Sequence, residues 1–163
     1  MPVTPANIDH AAVAAFWKAC IAALPQHNLG GKKYALRCIG TTPEMNAAIL
    51  DNIAHGRKVG TFPLPLQLEK LGEKLPQPGD LTIQLKLDGT PRLLVQTTQV
   101  DTLPFRALTA EHTAIDGPTV RPLDVWRKVH IPYYTAIMAG YGLTFTEDVP
   151  ICIERFTCLY VAP

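Results

Sequence analysis

The sequence predicts an α+β fold with a mostly antiparallel sheet, and three observations predict it. Residues 81–87 alternate apolar Leu81, Ile83, Leu85 and Leu87 with polar Thr82, Gln84 and Lys86, the period of a half-buried strand. Asp88-Gly89 then signals a hairpin turn, and residues 92–100 return as the partner strand. Helical patterns stand on either side of this hairpin and a last strand is predicted over 150–161. The order is therefore helices, strands, helix, strand.

The first helix is predicted over 8–24, where Val13, Phe16, Trp17, Cys20, Ile21 and Leu24 recur at helical spacing. Residues 25–33, with Gly30-Gly31, read as a loop. Thr42-Pro43-Glu44 offers a cap and first turn for a second helix reaching about Ala54, and His55-Gly56 supplies its end. Residues 64–78 are leucine-rich and broken by prolines, a covering segment of no definite element. Residues 123–139 read as helical with Pro132 inside them. An interior proline loses a backbone bond and clashes with the preceding turn, at ~3 kcal/mol. A break is therefore expected near Ile131, with Pro132 starting a second piece.

A chain of 163 residues fits one domain over residues 1–163 with a core of useful size. It is 47% hydrophobic and 18% charged, a globular composition. Its fifteen prolines favour turns and short elements. The formal net charge is +1 and no basic run exists, which argues against an extended grip on duplex nucleic acid. A site for one nucleotide or a short single strand remains open. The four cysteines show no C-x-x-C pair and no zinc spacing, so they are expected as buried small hydrophobes in a reducing cytoplasm. No secretory leader is read at the N-terminus, no membrane span is expected, and neither a metal nor another cofactor is predicted.

The run His55-Gly56-Arg57-Lys58-Val59-Gly60-Thr61 is the candidate for chemistry. A lysine and a threonine follow a helix-ending glycine, three residues apart. If they flank the extended start of a strand, an amine and a hydroxyl can reach one small cavity. Glu154 shares a strand face with Cys152, Phe156 and Cys158, so it is either paired inside or pointing out at an edge. Trp126, Arg127 and His130 share one helical face. They are either core and satisfied polar residues or a wall on which Trp126 or Tyr133 stacks a base and Arg127 holds a phosphate or carboxylate. Arg155 is expected to pair with Glu154, with ligand contact as the other reading. His10, His27 and His55 are left as surface residues.

Five segments in order resemble the ASCH domain family, especially its longer bacterial members, over nearly the whole chain from about Phe16. Its G-x-K-x-x-T signature is similar to Gly56-Arg57-Lys58-Val59-Gly60-Thr61, and its P-x-x-G-D step to Pro76-Gln77-Pro78-Gly79-Asp80. Its T-T-x-V and P-F segment resembles Thr97-Thr98-Gln99-Val100 followed by Pro104-Phe105. Its W-R-x-x-H helix resembles Trp126-Arg127-Lys128-Val129-His130, and its C-x-E-R-F ending Cys152-Ile153-Glu154-Arg155-Phe156.

The resemblance implies a small β-barrel related to the PUA domain of RNA-modifying proteins, with flanking helices and the helix over 8–24 packed on the barrel. It implies binding of a nucleobase, a nucleoside or short single-stranded RNA. Some members are RNA-binding modules and some bacterial members are ribonucleases. A small branch removes the acetyl group from acetylcytidine with a lysine, a threonine and a glutamate. The resemblance carries the lysine and threonine onto Lys58 and Thr61, and the glutamate onto Asp116, after Thr109 and His112. Asp116 is shorter than glutamate by one bond of about 1.5 Å. A misplacement of that order costs roughly a hundredfold in rate unless the backbone compensates. Where long members read E-G-E-G-D-x-S-L, this chain reads Asp116-Gly117-Pro118-Thr119-Val120-Arg121-Pro122-Leu123, so two acids and a serine are gone. A ribonuclease role resting on them loses its support.

Two functional readings stand. As an amidohydrolase, Lys58, Thr61 and Asp116 would be catalytic, with Arg57, Trp126, Arg127, His130, Glu154 and Arg155 around the ligand. That reading needs a neutral amine, and bringing a free lysine of pKa ~10.4 near neutrality costs about 4 kcal/mol. As a non-catalytic RNA-binding module, Lys58 would bind phosphate or pair with Asp116 or Glu154.

Overall fold

The computed structural model describes residues 7–163. Five helices and five strands alternate irregularly along them. The helices are α1 (His10–Ala23), α2 (Pro43–Ala54), α3 (Pro65–Lys70), α4 (Ala110–Thr113) and α5 (Leu123–Gly140). The strands are β1 (Ala35–Cys38), β2 (Gly60–Thr61), β3 (Leu81–Leu85), β4 (Pro91–Pro104) and β5 (Pro150–Val161). They form one mixed sheet in the order β1-β3-β4-β5-β2.

This confirms the α+β class and corrects the barrel. The order ends at β1 and β2, so the sheet of the described residues is open. Closure needs tilted, staggered strands long enough to pair around a ring. β1 offers four residues and β2 only two. β1 is moreover parallel to β3, while β3 pairs antiparallel with β4 and β2 with β5.

The chain divides into two compact units. One holds the described residues up to Gly56 with Gly79–Gln96 and Thr157–Pro163. Here Asp9 caps α1 by accepting from the Ala12 amide at 2.8 Å. α1 buries Val13, Phe16 and Cys20 against Leu81, Ile83, Leu85 and Leu94. Ile21, expected on the same face, is exposed. Thr42 caps α2 as its sequence predicts, accepting from Met45 N at 3.2 Å, and Gly56 closes the end with a positive φ. The hairpin also forms as expected. Its turn holds Lys86 N on Thr90 O at 2.8 Å and Thr90 N on Asp88 Oδ1 at 2.9 Å. β3 is not half-buried, however: all five of its residues are buried, Thr82 and Gln84 included. It lies inside the sheet order, between β1 and β4, so its alternation is one of chemistry and not of exposure.

The other unit holds Arg57–Pro78 and Thr97–Phe156. Its core gathers Phe62, Leu64, Phe105, Leu108, Ile115, Trp126, Tyr134 and Ile137 with their neighbours. The Tyr134 hydroxyl donates to Phe62 O at 2.8 Å, satisfying its buried polar end. The proline-broken stretch contains α3, started by Pro65 and anchored by Leu64 and Leu68.

α5 runs unbroken through Pro132, against the expected break. Pro132 and Lys128, the residue whose carbonyl loses its helical partner, are both exposed, so water can serve that carbonyl. Buried Trp126 lies before the proline and buried Tyr134, Ile137 and Met138 lie after it. Packing on both sides holds one helix where local propensity would make two.

Candidate functional site

Of the two residues that the signature run singles out, Lys58 comes together with Asp116 and His130 inside the second unit, and Thr61 does not. Backbone pairing sets the position of Lys58. Its neighbour Val59 donates to Ile115 O and accepts from Phe156 N, both at 2.9 Å. The run is thereby clamped between β5 and the segment after α4. Gly60 permits the clamp, because a Cβ there would stand 2.3 Å from Ile115 Cδ1 and 2.6 Å from Glu154 O. α4 fixes the approach of Asp116. Thr109 and His112 form a capping box, the Thr113 hydroxyl donates to Arg121 O at 2.7 Å, and Asp116 N donates to Thr113 O.

Lys58 and Asp116 are buried, at 6% and 5% exposure, and paired. Lys58 Nζ donates to Asp116 Oδ1 at 2.5 Å, and Gly117 N donates to the same oxygen at 2.7 Å. The other carboxylate oxygen, Oδ2, lies 3.9 Å from Nε2 of His130.

His130 sits one turn after Trp126 on α5, its ring stacked on the indole at 3.9 Å between centroids and 15° between planes. Its Nδ1 is 2.9 Å from Trp126 O. A carbonyl only accepts, so Nδ1 carries the hydrogen in this contact. Burial pushes the His130 pKa down to about 4, and Lys58 adds to this, while the Trp126 carbonyl and Asp116 oppose it. The ring is neutral at pH 7, with Nε2 a bare acceptor.

Thr61 and Glu154 face each other in the β2–β5 register. Thr97 Oγ1 donates to Glu154 Oε1 at 2.6 Å. Of the two placements open for Glu154, the structure takes the paired one. Burial alternates along the run: Lys58, Gly60, Phe62 and Leu64 are buried while Val59, Thr61 and Pro63 are more exposed. Lys58 therefore turns inward to Asp116, and Thr61 takes the face of Glu154.

The remaining candidates separate. Trp126 has no exposed surface, so it cannot stack on a base and is core. Tyr133 is partly buried. Arg127 pairs with Glu147 and lies over the Phe105 ring at 4.6 Å, which makes it a surface clamp on the aromatic core. Arg155 stands opposite Gly60 in register, and strand alternation turns it to the face away from Glu154. Arg57 is exposed and its carbonyl accepts from Arg121 Nη2 at 2.5 Å.

Sequence reasoning gave no role to Thr97, Gly117 or Arg121. Thr97 lies 57 residues from Glu154, and no local pattern announces such a partner. Gly117 and Arg121 stand in the segment where the chain departs from the resemblance, which was the one available signal. Among the described residues no group of three or more His, Cys, Asp and Glu could hold a metal ion, and no helix is long and apolar enough to cross a membrane.

The model of the ASCH domain matches residues 36–160. This chain belongs to the ASCH domain family. The match includes Lys58, Thr61, Asp116, His130 and Glu154. This ASCH chain is similar in structure to the ASCH domain from Lactobacillus crispatus, with a TM-score of 0.84 and 18% identity, over 97% of this chain and 99% of that one. It is also similar to protein EF3133 of Enterococcus faecalis, with a TM-score of 0.78 and 23% identity, over 91% of this chain and 88% of that one. At such identities the likeness shows the fold. No curated protein matches the sequence.

Proposed function

We propose that this ASCH chain recognises a nucleobase or nucleoside, free or within a short single-stranded RNA, at the Lys58–Asp116 pair. The burial of that pair carries the reading. Taking two charges out of water costs several kcal/mol per ion, and apolar residues of similar volume stabilise a core equally well or better. Buried, hydrogen-bonded charges fit recognition of a polar ligand better than they fit stability. Lys58 has further N–H groups to offer, and Asp116 Oδ2 can accept. Membership of the ASCH family supports a ligand of nucleic-acid type. We read residues 1–163 as one ASCH-like domain, since the family match runs through both compact units. Four unpaired thiols fit a cytoplasmic setting.

The register of Thr61 with Glu154 favours a second reading, hydrolysis of an acylated nucleoside such as acetylcytidine. A hydroxyl beside a carboxylate has an acceptor for its proton. That reading takes Lys58, Thr61 and Asp116 as catalytic, with Thr61 on the strand face of Glu154 and the other two on the opposite one. The Lys58 amine is turned to Asp116 and away from the face of Thr61, so it does not stand beside the hydroxyl whose proton it would take. The geometry thus puts recognition ahead of hydrolysis.

The test is calorimetric titration of the purified chain with cytidine, acetylcytidine and a short single-stranded RNA, with Lys58→Ala alongside and its folding checked by circular dichroism. Saturable binding that weakens at least tenfold in the variant is expected. Chromatography of the acetylcytidine sample separates the two readings: cytidine formed by the wild type and not by the variant establishes hydrolysis. Absence of binding to all three ligands defeats the proposal.

A further inference from the structure

The Lys58–Asp116 pair leaves a neighbouring arrangement that its own hydrogen bonds do not use. Asp116 Oδ1 is occupied by Lys58 Nζ and Gly117 N. Its Oδ2 faces His130 Nε2 at 3.9 Å, beyond hydrogen-bond reach. His130 spends its Nδ1 hydrogen on the Trp126 carbonyl, so in the neutral ring Nε2 has no hydrogen to give. Two acceptors therefore face each other, with the Lys58 amine as a donor on the same carboxylate. The stack on Trp126 and the Trp126 carbonyl hold the imidazole in this orientation. His130 keeps 16% of its side chain exposed, against 7% for Asp116.

We infer that His130 Nε2 and Asp116 Oδ2 form a two-acceptor seat beside the Lys58 donor, and that this seat selects bases carrying an amino group over their keto counterparts. The inference rests on the nucleobase reading and deepens it. A donor with two hydrogens, about 3 Å from each acceptor, satisfies both. An amino group beside a ring nitrogen, as in cytosine and adenine, supplies two hydrogens to the seat and an acceptor to Lys58. Uracil and hypoxanthine place a carbonyl oxygen where the amino group stood and an N–H where the ring nitrogen stood. Acceptors would then meet acceptors, and a mismatch at buried polar groups is what makes such discrimination large.

The experiment compares the affinities of the wild-type chain for cytidine, uridine, adenosine and inosine, and repeats the series with His130→Phe. Phenylalanine keeps an aromatic ring on Trp126 and removes the acceptor, and His130→Leu, which also lacks an acceptor, serves as a second variant should packing suffer. The expected result is a tenfold or larger preference for the amino partner of each pair, falling toward unity in His130→Phe. A loss of affinity that leaves the amino-to-keto ratio unchanged would mark His130 as structural and overturn its part in the seat. Equal affinities for amino and keto partners in the wild type would overturn the seat and leave the nucleobase reading standing. Binding of none of the four would overturn both.

Discussion

Lys58 and Asp116 are separated by 58 residues in the sequence and by 2.5 Å in the fold. Removing one partner strands a buried charge, so Lys58→Met or Asp116→Asn should each cost about 3–5 kcal/mol of stability. The double substitution Lys58→Met with Asp116→Leu should return most of that loss, and urea denaturation of the four proteins measures it. His130 gives a pH dependence of definite sign. Its folded pKa of about 4 lies below the ordinary 6.5, so the unfolded chain binds the extra proton first. Its contribution is complete above pH 6.5 and is lost as pH falls toward 4, on the order of 3 kcal/mol in all. Unfolding free energies at pH 7.5, 5.5 and 4.5 should therefore fall more steeply for the wild type than for His130→Phe. A variant curve parallel to the wild type's would contradict this. At this scale residue types were legible and partners were not. Asp116 and Glu154 were both open as partners of Lys58, and only the fold chooses Asp116. Trp126 and Arg127 look like a ligand wall on a helical wheel, yet one is sealed in the core and the other is drawn to Glu147.

Elements with local causes were the most legible. The Thr42 cap, the Pro43 first turn and the Gly56 end of α2 act within a few residues, and so does the Asp88-Gly89 turn. Elements with distant causes were not. β1 has four residues and gains its identity from pairing with β3, and β2 has two and gains it from β5. α5 shows packing prevailing over propensity at Pro132. Since that proline is exposed and its helix continues, Pro132→Ala should restore the bond to the Lys128 carbonyl and relieve the ring's clash with it. A gain of up to ~3 kcal/mol is expected, seen as a higher denaturation midpoint with unchanged slope. A loss of stability would show instead that the proline is needed where it stands.

For the whole molecule, a net charge of +1 sets the character of any nucleic-acid contact. With one or two phosphates engaged, affinity for a short single strand should fall less than about tenfold between 50 and 200 mM salt. A steeper fall would require a basic surface engaging many phosphates. The open sheet is also a property at this scale. No single strand signals whether a sheet closes, because closure depends on strand number, stagger and length together.

The amino-acid sequence by itself determined the α+β class, the first two helices with the Thr42 cap, and the central hairpin, because periodicity, caps and turn chemistry act over a few residues, and its five ordered motifs carried the resemblance to the ASCH family. It also brought Lys58, Thr61, Asp116, His130 and Glu154 into view as chemical types. Only the tertiary structure decided that Lys58 is paired with Asp116, that Glu154 takes the Thr97 hydroxyl, that His130 presents a bare nitrogen and that the sheet stays open. The Lys58–Asp116, Thr97–Glu154 and strand contacts join segments tens of residues apart, and the His130–Trp126 contact, though four residues apart on one helix, is held by burial in the core. Their geometry is fixed by the packing of a core to which no short stretch of sequence contributes enough to announce the result.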